Sequence, residues 1–175
     1  MPHIIANAVK FQAGWVLVVL YGNTVAVACA IVALIIYGKW FYTGIQDVFL
    51  IAVTVALGFV GDTLLGFFGL LAYPSGLAVP PFWMITLWLL FSMTLPWSVR
   101  PLIRKRLVFV VFCIIGGPLS YVAGVRLTDV EFGLEPMQAI PVLVAVWIVY
   151  GLILSNLVRR WEAATDRVKP GYQEP

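Results

Sequence analysis

Residues Asp47 to Leu71 read DVFLIAVTVALGFVGDTLLGFFGLL. At ~1.5 Å per residue, a helix of that length crosses a bilayer with some tilt to spare. One charge, Asp62, interrupts the apolar interior of the stretch. Gly58, Asp62, Gly66 and Gly69 follow at steps of four, four and three, with Gly61 alongside, so they share one helical face. A glycine face admits a neighbouring helix at close range and belongs inside a bundle rather than against lipid. Asp62 is therefore expected to point inward. A carboxylate there costs at least ~2.5 kcal/mol on insertion scales and needs a partner or a watery cavity.

The rest of the composition agrees. Of 175 residues, 62% are hydrophobic and 11% charged, with a mean hydropathy of +1.01. Repeated apolar runs with so little charge predict an all-α integral membrane protein, a bundle of about six transmembrane helices. The net charge of +3 fits basic residues gathered in cytoplasmic loops rather than a nucleic-acid surface, since no basic stripe interleaves with aromatics. Cys29 and Cys113 lie in apolar runs outside any CxxC pair, so neither a disulfide nor a metal site is read.

Outward from the central stretch, residues 4–21 and 24–40 form two apolar runs parted by Gly22-Asn23. Ala28-Cys29-Ala30 looks like a small-residue cleavage site. The apolar run continues past it, however, and no charged cluster precedes the first run, so a helical hairpin is favoured. A Pro/Gly-rich turn, AYPSGLAVPP, follows the third helix. The fourth helix is expected at 82–99 and the fifth at 107–125, the latter kinked or opened at Gly116-Gly117-Pro118. The sixth is expected at 139–158, closing a transmembrane domain of residues 1–158. Residues 159–175 read as a polar cytoplasmic tail, whose last residues, KPGYQEP, look disordered. With both termini cytoplasmic, Lys39, the Arg100/Arg104/Lys105/Arg106 cluster and four basic tail residues lie inside, against Arg126 outside. That asymmetry predicts a multi-pass inner-membrane protein of fixed orientation.

In this arrangement Asp62 lies about nine residues from the outer end of its helix and Lys10 about eleven from the outer end of the first. The two depths then differ by about 3 Å, which would let them pair. Gln12, Ser120 and Tyr121 fall near the same layer and Arg126 at its rim. Two readings stay open: a polar site with Asp62 as proton acceptor, cation ligand or catalytic group, or an Asp62–Lys10 ion pair that fixes packing. Trp15, Trp88 and Trp147 read as packing or interface residues. His3 is the only histidine, so no Ser-His-Asp, Cys-His or HExxH chemistry is available, and no cofactor is implied.

FQAGW (11–15), GFVGDTLLGFFG (58–69), PPFWMITLWLLFSMTL (80–95), GGPLSYVAGVRL (116–127) and Trp147 occur in this order. As a set they resemble an uncharacterised bacterial inner-membrane family, domain-of-unknown-function family 2878. The resemblance reaches to about Leu157. It implies a small multi-helix membrane protein without established activity, often encoded near cyclopropane-fatty-acid-synthase-like methyltransferases and flavin-dependent oxidoreductases. Its shared polar set maps onto Gln12, Asp62, Ser120, Tyr121 and Arg126. The chain departs from the family pattern at Pro96-Trp97 and at Thr128-Asp129, and the first departure speaks against a site at that end of the fourth helix.

Three functions follow as expectations. The first is an accessory role in membrane lipid modification or homeostasis, with membrane lipids and a membrane-associated lipid-modifying enzyme, or a second copy of the chain, as partners. The second is a small proton-coupled transporter using Asp62. The third is a structural subunit anchoring a partner enzyme.

Overall fold

A computed structural model describes residues 2–168. The chain is an all-α, multi-pass membrane bundle with one two-residue strand pair. Helix α1 (Pro2–Tyr21) turns through Gly22 into α2 (Asn23–Trp40), and α3 (Ile45–Phe67) follows. Strand β1 (Leu71–Ala72) precedes α4 (Phe82–Ser92), the short α5 (Arg100–Arg104) and α6 (Arg106–Leu127). Strand β2 (Glu131–Phe132) leads into α7 (Pro136–Val168).

Five helices, α1, α2, α3, α6 and α7, are long and apolar enough to cross a membrane. They turn large apolar side chains outward: Phe49 is 65% exposed and Leu119 60%, as lipid-facing positions require. The sixth apolar element, α4, is short. Pro96 explains where it ends, because its ring would clash with the Ser92 carbonyl in a continuing helix. The chain goes on as hydrogen-bonded turns, among them Thr94 N–H to Phe91 O at 2.9 Å and Leu95 N–H to Ser92 O at 3.3 Å. This segment is central, with Leu90, Met93 and Leu95 fully or nearly fully buried. It packs against α1, α2 and α3, while α3 and α6 each pack on α7.

Several expected boundaries move, each for a local reason. Helix α3 stops at Phe67 rather than Leu71 because Gly69 adopts φ 70°. There Gly69 N–H reaches Gly66 O and Leu70 N–H reaches Leu65 O, the paired bonds that close a helix through a left-handed glycine. The segment expected as a plain turn then pairs across the bundle. Leu71 faces Phe132 and Ala72 faces Glu131 in antiparallel register, with Gly133 N–H on Leu70 O at 3.0 Å. Gly133 must be glycine, since a Cβ there would collide with Gly69 O.

Helix α6 stays helical through Gly116, Gly117 and Pro118, so the chain does not open into non-helical backbone there. Helix α7 passes position 158 without interruption. Residues 159–168 of the expected tail thus belong to the bundle, and the residues of KPGYQEP lie outside those described. Near this end Arg100 Nε meets Glu162 Oε1 at 2.7 Å, and the Arg100 guanidinium lies 5.2 Å from the Trp161 ring. These contacts brace α5 against α7.

Candidate functional site

Two buried carboxylates on α3 organise the polar interior. Asp62, toward its C-terminal end, is fully buried. Trp88 of α4 donates its indole N–H to Oδ2 at 2.8 Å, and the Tyr121 hydroxyl of α6 donates to Oδ1. The Asp62 backbone carbonyl accepts from the Tyr73 hydroxyl at 2.7 Å. Burial, reinforced by the Asp62 carboxylate, pushes the Tyr73 phenol well up, which keeps it a donor.

The glycine face of α3 turns inward, as its spacing predicts, but at Gly58 and Gly61 it receives aromatic rings rather than the backbone of a neighbouring helix. A Cβ at Gly58 would overlap the Trp88 ring, and one at Gly61 the Tyr150 hydroxyl. That hydroxyl bonds Leu57 O at 3.1 Å. On α6, Gly117 plays the same part under the Trp147 ring. Trp88 and Trp147 stack at 5.6 Å with 7° between their planes. Glycines on α3 and α6 thus let two indoles fill the gap between helices, and one indole holds the carboxylate.

Lys10 is not the partner of Asp62. The sequence-based depths placed the two within about 3 Å. Because α3 ends at Phe67, however, Asp62 lies five residues from its helix end while Lys10 lies eleven from Tyr21. Six residues separate them in depth, about 9 Å. Lys10 Nζ is buried without a hydrogen-bond acceptor among the described residues, over the rings of Phe41 (4.8 Å) and Tyr37 (5.5 Å). Ring faces recover only ~1–2 kcal/mol for a cation, less than a missing hydrogen bond and desolvation cost. Lys10→Met, which keeps the stem's packing, should therefore raise the thermal midpoint by a few degrees in detergent. A lowered midpoint would reveal an acceptor for the ammonium.

The second carboxylate was missed from the sequence, where Asp47 merely marked the start of the apolar stretch. It is fully buried and takes four hydrogen bonds. Thr43 donates its N–H at 2.7 Å and its hydroxyl at 2.8 Å, Tyr37 its hydroxyl at 3.1 Å, and Trp161 its indole N–H at 2.7 Å. The cue available was positional, since an acid in the first turn of a helix suits the dipole. Nothing local pointed to Trp161.

The other predicted residues make no hydrogen bond to Asp62 among the described residues. Ser120 bonds back to Gly117 O at 2.7 Å, while Gln12 and Arg126 are exposed. Gln12, Asp62, Ser120 and Tyr121 do meet at one feature, a cavity of about 380 Å³ lined mainly by α1, α4 and α6, with Trp147 of α7. Helices α1 and α6 touch at few points, and the cavity rim includes the exposed Gln12, Phe112 and Leu119. The buried indole N–H of Trp147 has no acceptor among the described residues. A second, more polar cavity of about 740 Å³ lies at the end of the bundle where α1 meets α2 and α6 ends. Among the described residues, no cluster of three or more His, Cys, Asp or Glu side chains forms a metal site.

A family model described as "Protein of unknown function (DUF2878)" matches residues 4–152. No curated protein and no solved structure matches the chain.

Proposed function

We propose, from the premise that this chain belongs to the DUF2878 family of proteins of unknown function, that it binds a lipid-like amphiphile within the membrane and serves membrane lipid modification or homeostasis as an accessory component. The observation that carries this reading is the 380 Å³ cavity, apolar over most of its wall, with the Asp62–Trp88–Tyr121 network built into it. Ligand sites are typically mostly apolar concavities with a few fixed polar groups. Here Phe112 and Leu119 make the rim between α1 and α6 mostly apolar beside Gln12, so a bilayer component has an apolar approach to it. The concentration of basic residues at the end bearing both termini supports an inner-membrane orientation with those termini cytoplasmic.

Asp62→Asn is the informative variant. The amide oxygen still accepts from Trp88, and the Tyr121 hydroxyl can accept from the amide nitrogen, so shape and hydrogen bonding survive while the ionisable proton is lost. Membrane lipids would be compared by mass spectrometry in cells with the gene, without it, and with Asp62→Asn at matched protein level. The expected result is a lipid change on deletion that Asp62→Asn reproduces. Full rescue by Asp62→Asn would make Asp62 a packing residue and favour a scaffold. No lipid change on deletion would remove the lipid reading.

A further inference from the structure

The two cavities share wall residues. Val19, Trp83 and Val130 line both, so the apolar chamber between α1 and α6 adjoins the polar mouth at the end of the bundle opposite the termini. The mouth is framed by Asn23, Tyr73, Ser75, Thr128 and Asp129. Along the whole wall the charged residues are Asp62 and Asp129, and no Lys or Arg is among the lining residues. Arg126, the nearest basic residue in sequence, is exposed and lines neither cavity.

Resting on the amphiphile-binding reading above, we infer that the ligand is an amphiphile with an uncharged, hydroxyl-bearing head, seated with that head in the polar mouth and its apolar chain in the 380 Å³ chamber. Charge complementarity carries the assignment. Phosphate recognition draws on Arg or Lys donors, and this wall supplies carboxylates, hydroxyls and amides instead. An anionic phospholipid head placed there would face Asp129 with no counter-charge. A hydroxyl head can donate to carboxylate and carbonyl oxygens and accept from the Ser75 hydroxyl and the Asn23 amide N–H, the Tyr73 and Thr128 hydroxyls being spent on Asp62 O and Gly124 O. The division of the wall, polar at the mouth and apolar between α1 and α6, sets the orientation.

The test uses the full chain in nanodiscs and its own tryptophan fluorescence, since Trp83 stands at the junction and Trp15, Trp88 and Trp147 line the chamber. Chain-brominated diacylglycerol should quench saturably at a lower mole fraction than chain-brominated phosphatidylglycerol. Phosphatidylglycerol quenching equally or better would overturn the head assignment while leaving amphiphile binding intact. Quenching by neither, beyond random mixing with the bilayer, would overturn both. Asp129→Lys tests the placement of the head, and because Asp129 is exposed the variant should fold. It should strengthen phosphatidylglycerol quenching about fivefold, the effect of one basic residue near a charged membrane surface, and weaken quenching by diacylglycerol, whose hydroxyl loses its carboxylate acceptor. Unaltered phosphatidylglycerol quenching in Asp129→Lys would show that the head does not sit at this mouth.

Discussion

Asp47→Ala is expected to be the most damaging single substitution in this protein. It strands four donors from three segments: the N–H and hydroxyl of Thr43, the Tyr37 hydroxyl and the Trp161 indole N–H. Each buried donor left unsatisfied costs ~1–3 kcal/mol. The total loss, at least ~4 kcal/mol, is a large part of the ~5–15 kcal/mol margin of a typical fold. Folded protein should be scarce on size-exclusion in mild detergent, and what survives should unfold far below wild type. Asp47→Asn, which keeps one acceptor oxygen, should fall between. A midpoint for Asp47→Ala within a degree or two of wild type would mean that water or lipid headgroups reach the cluster. Asp62→Ala should cost less, because two side-chain donors depend on that carboxylate rather than four.

The second large effect separates two adjacent glycines. Gly117→Ala should destabilise the bundle by about 2 kcal/mol, in the range of overpacked cores. Its Cβ meets the Trp147 ring, and that ring cannot withdraw because it is stacked on Trp88. Gly116→Ala should instead be neutral or stabilising by up to ~1 kcal/mol through helix propensity, since the nearest atom to its Cβ is Phe112 Cζ at 4.0 Å. Gly58→Ala should repeat the Gly117 result from the other side of the stack. The Gly58→Ala/Gly117→Ala pair should be non-additive, because both push on the same two rings. Thermal midpoints of the four variants decide the matter. Equal effects at 116 and 117 would remove the ring-packing account.

The helical bundle was legible in the sequence because hydropathy reports directly on lipid exposure, and so was the inward face of α3, because glycine spacing fixes a helical face. The partners of Asp62 were only half legible. Tyr121 stood in the polar layer, but Trp88 looked like a packing residue, since nothing in its surroundings distinguishes an indole that donates to a carboxylate from one that merely fills space. The Lys10 pairing failed over one turn of helix. A left-handed glycine at 69 ends α3 early, and Gly69 had been read for its lack of a side chain rather than for its backbone freedom. Asp47 escaped because its partners are set by tertiary structure. Trp161 lies 114 positions away, in a stretch whose arginines made it look like a solvated tail. The strand pair was hidden for the same reason, since two residues in each of two loops carry no periodicity to read.

The long reach of these hydrogen bonds also bears on how the protein is made. Helices enter the membrane in chain order during synthesis, and α3 arrives early with both carboxylates. Asp62 gains its Trp88 donor 26 residues later and its Tyr121 donor 59 residues later, and Asp47 waits 114 residues for Trp161. Until α7 is made, the nascent chain carries a carboxylate at the start of α3 whose last hydrogen-bond donor, Trp161, is still missing.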